Sequence, residues 1–232
     1  MANFKVILWD IDGTLLNFHM AEKAAIRSLF ARFGLGTCTD EMLKRYSTIN
    51  AGFWKKLEKG ELTKPQILIG RFETFFREYG LNISCAPAFN EAYQLALGDT
   101  VCFNPGGLEA VKALKGKVKQ YAVTNGTLVA QRKKLAASGL DALLDGVFIS
   151  DVIGIEKPNI GYFQAVWKEI GNYSPDEVLI VGDSLTSDIK GGNNAGIKTC
   201  WFNPNRSPAP ADLQIDYDIQ ELGEVLKICE SK

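Results

Sequence analysis

The stretch Val6-Ile7-Leu8-Trp9-Asp10-Ile11-Asp12-Gly13-Thr14 constrains this chain more than any other. An apolar run stops abruptly at two aspartates, a glycine and a threonine. Such a run without polar alternation reads as a strand buried on both faces, the habit of parallel sheets. It delivers two carboxylates to its own C-terminal end, and the glycine lets the backbone turn away at once. In an open parallel sheet, ligands bind in the crevice outside the carboxyl ends of the strands. Two acids placed there suit a hard cation, acid–base chemistry, or both. A calcium loop does not fit, because a strand precedes instead of a helix and the glycine comes too early.

After Thr14 the pattern is helical from about residue 20 to 98. Ile26, Leu29, Phe30 and Phe33 recur at helical spacing, and Gly34 stands where a left-handed C-cap belongs. Thr39 and Asp40 open a second helix carrying Met42, Tyr46, Ile49 and Phe53, with Asn50-Ala51-Gly52 placed to interrupt it. Thr63-Lys64-Pro65-Gln66 is a capping-box pattern; the helix it opens puts Leu68, Phe72, Phe75, Phe76 and Tyr79 on one face. A fourth helix is expected over 87–97.

From residue 102 strands and helices alternate. Strands are expected over 120–124, 146–150, 178–182 and 198–202. A helix carrying Leu108, Val111 and Leu114 precedes the first of these, and the helices between them carry Val129, Arg132 and Leu135, then Phe163, Val166, Trp167 and Ile170. A last helix is expected over 222–228. This alternation predicts an α/β fold, a doubly wound parallel sheet of Rossmann-like type covered by helices on both faces. The first strand precedes the helical block and the others follow it. An α/β core of residues 1–17 and 100–232, with residues 18–99 as an inserted helical domain, is therefore expected.

Composition narrows the partners. Lys and Arg number 26 against 27 Asp and Glu, so nothing points to nucleic acid or a membrane surface. The N-terminal apolar run is strand-length, far short of the roughly 20 residues a membrane span needs. The five cysteines are scattered without a C-x-x-C pair, which suits a reduced, cytoplasmic protein and unligated thiols. His19 is the only histidine, so histidine-rich metal sites are excluded. A structural role is expected for it.

On the expected sheet, Asp10 and Asp12 end the first strand, and Thr124 and Asn125 the second. Lys157 follows the third; Asp183 and Ser184 end the fourth, with Asp188 a turn further on. All fall on one edge. Collected carboxylates repel unless a cation neutralises them, and an all-oxygen set selects Mg²⁺ over zinc. Mg²⁺ with Lys157 makes a site for a phosphoryl dianion, to which Thr124 and backbone N–H groups near Asn125 and Gly126 can donate. Asp10 is placed to attack phosphorus, and Asp12 to protonate the leaving alcohol and then activate water.

The segments Asp10-Ile11-Asp12-Gly13-Thr14, Thr124-Asn125-Gly126, Lys157-Pro158 and Gly182-Asp183-Ser184-Leu185-Thr186-Ser187-Asp188 resemble, in order, the four motifs of the haloacid dehalogenase-like superfamily. The helical insertion resembles its C1 cap. The resemblance implies Asp10 as nucleophile and Asp12 as general acid/base, the latter also offering its backbone carbonyl to the metal. It implies Thr124 and Lys157 on the phosphoryl group, Asp183 on Mg²⁺, and Asp188 as a ligand or the support of one. An aspartate at position 12 speaks against the dehalogenase branch, which lacks this acid, and the ion-pumping branch, which usually has threonine there.

Asn50 to Trp54, Glu58-Lys59-Gly60-Glu61-Leu62-Thr63, Arg71-Phe72-Glu73 and the run from Ser187 to Gly196 look like pyrimidine 5′-nucleotidases that clear non-standard nucleotides. The implied substrate is a small phosphate ester, a nucleoside monophosphate, with Asn50, Trp54 and Arg71 as candidates for choosing it. A mobile cap would close on it, in a monomer or homodimer. The alternatives are a phosphatase of small sugar phosphates or phosphoglycolate, a sugar phosphomutase, and, from another class, a phospho-accepting signalling module. The last is shorter, lacks the insertion and has no second acid at this spacing.

Overall fold

The structure, a computed structural model, describes residues 4–230. The chain forms two compact units: one comprises the chain up to Asn17 and from Cys102 onward, the other Phe18–Val101. The first is built on six parallel strands, β1 (Val6–Trp9), β2 (Lys119–Thr124), β3 (Gly146–Ile149), β4 (Val178–Gly182), β5 (Lys198–Phe202) and β6 (Tyr217–Ile219), in the order β3-β2-β1-β4-β5-β6. Every β1 side chain is buried, as its unbroken apolar run requires. Among the described strands, β6 is the one that escaped the sequence reading. Its three residues are too short to show a period, and it sits at the sheet edge.

The strand order reverses at β1, which pairs with β2 on one side and β4 on the other, Trp9 lying level with both Ala122 and Val181. A topological switch point of this kind opens a crevice at the carboxyl ends of the strands. Trp9 Nε1 donates to Gln120 Oε1 (3.0 Å) and Gln120 Nε2 to the Val111 carbonyl (3.0 Å), so the indole and amide buried at the centre of the sheet are satisfied.

The inserted unit holds four helices, α1 (Phe18–Arg32), α2 (Asp40–Glu58), α3 (Lys64–Glu78) and α4 (Ala86–Ala96). Thr39 Oγ1 accepts the Met42 N–H at 3.2 Å, and Gln66 Oε1 accepts the Thr63 N–H at 2.8 Å, so both expected N-terminal signals operate. Two local expectations fail. Helix α2 runs through Asn50-Ala51-Gly52 without interruption, because the Asn50 side chain bonds to other helices and does not compete for its own backbone. On α3 the buried aliphatic residue is Ile67, not Leu68. The bundle core is aromatic: Phe72 stacks on Tyr46 at 5.1 Å, lies tilted against Phe89 at 5.0 Å and meets Tyr93 edge to face at 5.2 Å.

Helices α5 (Gly107–Leu114), α6 (Leu128–Ser138), α7 (Leu140–Leu143), α8 (Ser150–Ile153), α9 (Ile160–Ile170), α10 (Lys190–Ala195) and α11 (Glu224–Glu230) complete the first unit. Of the residues that marked α6 in the sequence, Leu135 is buried but Val129 is exposed; Ala130, Gln131 and Lys134 turn inward beside Leu135. Where the chain leaves and re-enters this unit, Leu16 bridges Phe103 and the Asn17 N–H donates to the Cys102 carbonyl at 2.7 Å. Among the described residues no helix is long and apolar enough to cross a membrane.

Candidate active site

The C-terminal ends of β1, β2 and β4 and the loop after β3 carry the polar residues singled out above. Lys157, 1% exposed, is their hub. Its Nζ donates to Asp10 Oδ1 at 2.9 Å, Asp188 Oδ1 at 2.7 Å and the Val123 carbonyl at 2.7 Å. All three ammonium protons are therefore satisfied, the condition for burying a lysine. Burial by itself lowers the lysine, but Asp10 and Asp188 outweigh it and hold the ammonium well above its usual range.

Asp183 stands beside this group. Thr14 Oγ1 donates to Asp183 Oδ1 and accepts the Asp183 N–H, both at 3.0 Å, so the first and fourth strand ends are tied together by one buried hydroxyl. One carboxylate oxygen from each of Asp10, Asp183 and Asp188 lies within 4.8 Å of the others. Burial first and the charge of Asp188 second push Asp10 up to about 7, against the pull of Lys157. Burial pushes Asp188 up to about 6, with Lys157 opposing. Asp183 is pushed up to about 7 by crowding protein atoms first and by Asp10 second. Its side chain is nonetheless open to solvent, which tempers the first cause. Three carboxylates facing one ammonium leave an excess of negative charge. An all-oxygen, over-negative set of this kind fits a hard divalent cation such as Mg²⁺.

The motif after β2 is arranged differently from the expectation. Asn125 uses its side chain to clamp the Lys157 backbone: Nδ2 donates to the Lys157 carbonyl and Oδ1 accepts the Lys157 N–H, both at 2.8 Å. The Gly126 N–H, expected to face a phosphoryl oxygen, donates instead to Thr124 Oγ1 at 3.0 Å. That leaves the buried Thr124 hydroxyl its own proton to donate. Asp12, half-buried, is bonded by Gln131 and Lys134 from α6, neither of which any motif marked. Asn104, also unmarked, donates to the Gly13 and Thr14 carbonyls at 2.8 and 2.7 Å and steadies the turn after Asp12.

The candidates in the inserted unit divide. Arg71, 1% exposed, donates to Asn50 Oδ1 at 2.8 Å and Asn90 Oδ1 at 3.1 Å, and lies over the rings of Phe72 and Tyr93. Asn50 in turn donates to the buried Glu22 at 2.8 Å. Arg71 and Asn50 thus link helices of the bundle, with three of the five Arg71 N–H donors engaged there, an arrangement that gives both a structural role beside the expected one in specificity. Trp54 is half-buried on α2.

Comparison with known proteins gives the family of the chain. Residues 4–196 match the family described as haloacid dehalogenase-like hydrolase. The chain is 35% identical to the HAD-hydrolase YfnB of Bacillus subtilis over 98% of its own length and 96% of that protein's. The crystal structure of YfnB, described as bound to magnesium and revealing interdomain movement, superposes with a TM-score of 0.92 over 98% of this chain and 99% of that one, at 34% identity. The pyrimidine 5′-nucleotidases PynA of Streptococcus pneumoniae and YjjG of Escherichia coli are each 31% identical. PynA matches over 96% of this chain and 94% of its own, YjjG over 94% and 95%. By sequence, sheet order and the residues gathered at the strand ends, the chain is an enzyme of the haloacid dehalogenase-like hydrolase family.

Proposed function

We propose that the protein is a Mg²⁺-dependent phosphomonoesterase acting on nucleoside 5′-monophosphates, pyrimidine ones foremost. The observation that carries the reading is the Lys157 ammonium bonded at once to Asp10 and Asp188, with Asp183 alongside. With a divalent cation on the three carboxylates, this arrangement would hold a phosphoryl dianion next to the Asp10 carboxylate. The nucleotide assignment is supported by PynA and YjjG, whose names state that activity.

Lys157 holds Asp10 by Oδ1, so Oδ2 is the oxygen offered to phosphorus. Its attack breaks the bond from phosphorus to the leaving oxygen, which takes a proton from Asp12 and departs as the nucleoside. Water then attacks the aspartyl-phosphate, Asp12 takes its proton, and the bond from phosphorus to Asp10 breaks to release phosphate. Thr124 donates to a phosphoryl oxygen, and Lys157, whose three protons are engaged by Asp10, Asp188 and the Val123 carbonyl, contributes its positive charge beside it. Asp10, Asp183 and the Asp12 carbonyl would hold Mg²⁺, with Asp188 beside them, and the bound ion supplies positive charge against which the nucleophile stays ionised and phosphoryl charge is neutralised.

The test is phosphate release by the purified chain, with Mg²⁺ and with chelator, from uridine, deoxyuridine and thymidine monophosphates, purine monophosphates, small sugar phosphates and phosphoglycolate. Fastest release from the pyrimidine nucleotides, abolished by chelator, is expected. A preference for sugar phosphates would overturn the substrate, isomerised sugar phosphate would indicate a mutase, and stable phosphorylation without turnover would indicate a signalling module.

A further inference from the structure

Two side chains from outside the four motifs grip Asp12. Lys134 Nζ donates to Asp12 Oδ1 at 2.5 Å, and Gln131 Nε2 donates to Oδ2 at 2.6 Å. They stand three residues apart on α6 and so share one face of the helix. Both are buried, Gln131 at 0% and Lys134 at 2% exposure. Burying a lysine and a primary amide is costly, and apolar residues at these positions would cover the sheet equally well.

Two further observations show that the amide is aimed at Asp12. Gln131 Oε1 is buried without a hydrogen-bond partner among the described residues, so the side chain is set by what its NH₂ reaches, not by what satisfies its carbonyl. Gly126 does not have positive φ, so its lack of a side chain is not a matter of backbone conformation. A Cβ there would lie 2.2 Å from Gln131 Nε2. The glycine clears the path of the amide.

We propose that Lys134 and Gln131 are positioning residues for Asp12. Each binds one carboxylate oxygen, so together they fix both the direction and the rotation of the group. Each oxygen keeps a second lone pair, on which a proton can be carried to the leaving oxygen and later taken from water. Proton transfer needs heavy atoms within hydrogen-bond reach, and a carboxylate on a turn does not hold such a geometry unaided. The inference rests on the phosphomonoesterase reading above.

The test compares the wild type with Lys134→Met and Gln131→Met, in Mg²⁺, on two esters: the alkyl phosphate cleaved fastest in the screen, and p-nitrophenyl phosphate. The p-nitrophenolate departs without being protonated, so kcat/KM for that ester depends little on Asp12. For the alkyl ester each variant is expected to lose roughly 10- to 100-fold in kcat/KM, part of the 10²–10⁴ typical of general acid–base catalysis. The loss falls in kcat and not KM, while p-nitrophenyl phosphate loses less than about threefold.

Equal losses in kcat/KM on the two esters, no loss on either, or a loss confined to KM overturns the positioning role while leaving the phosphomonoesterase reading in place. A wild type that releases phosphate from neither ester overturns both. Circular dichroism and thermal unfolding accompany each variant. If Lys134→Met does not fold, Gln131→Met, which keeps the length and removes only the amide, decides by the same criterion.

Discussion

Asp188 occupies the space that any side chain on Gly182 would need: a Cβ at Gly182 would lie 2.2 Å from Asp188 Oδ2. Gly182 has no positive φ, so room is the whole reason for glycine at the end of β4. The wide helical turn Leu185–Ile189 brings Asp188 back over the strand end, where its other oxygen meets Lys157 at 2.7 Å. Gly182→Ala is therefore expected to lose about 1–3 kcal/mol of stability, as overpacking does. It is also expected to lower kcat at least tenfold by displacing Asp188. Urea unfolding and phosphate release measure the two; an alanine variant matching the wild type in both would show that Asp188 has slack.

Lys157→Met removes the side chain that bridges Asp10 and Asp188 and leaves two buried carboxylates facing each other beside Asp183. Breaking a buried ion pair from one side costs about 3–5 kcal/mol, reduced here as one acid takes up a proton. Stability at pH 8 should fall more than at pH 5, since at the lower pH the acids can be neutral. Turnover should be lost at both. Equal destabilisation at the two pH values would show that the acids do not interact.

The metal-free wild type should also become less stable as pH rises. Asp10 is pushed up to about 7 and Asp188 up to about 6 in the folded chain, from an ordinary value of 3.8. Between about pH 4 and 7 the folded state therefore binds more protons than the unfolded one, and stability declines across that window. Mg²⁺ binds the ionised acids, so its stabilising effect should be larger at pH 8 than at pH 5. Thermal unfolding at both pH values, with and without Mg²⁺, gives the answer, and a Mg²⁺ effect independent of pH would contradict it.

Asp10→Asn should reduce turnover to background while leaving the fold intact. The amide removes one of the repelling charges, and Lys157 retains Asp188. The unfolding temperature should equal or exceed that of the wild type. Ordinary activity in preparations free of host phosphatase would refute the nucleophile assignment.

Arg71→Ala separates a structural role for that residue from a role in specificity. It strips two asparagines of a buried donor and removes a cation lying over two rings, so a loss of roughly 3 kcal/mol is expected in unfolding experiments. The ranking of substrates should be unchanged. A reordered ranking in folded enzyme would mark Arg71 as a specificity residue.

Much was legible in the order of residues alone. The unbroken apolar run of β1, the alternation after residue 102 and the caps at Thr39 and Thr63 express local periodicity and hydrogen bonding, which neighbours in sequence determine. So does the delivery of Asp10, Thr124, Lys157 and Asp183 to one edge, because all parallel strands end on the same side. What the tertiary structure alone decided is which polar groups satisfy one another across long separations. Gln131 and Lys134 reach back to Asp12, Asn125 grips the Lys157 backbone, Thr14 ties Asp183, and Arg71 is enclosed by Asn50 and Asn90. Polar residues on the inner face of α6 look from sequence like an imperfect apolar stripe. Only the approach of a carboxylate 119 residues away reveals why they are buried.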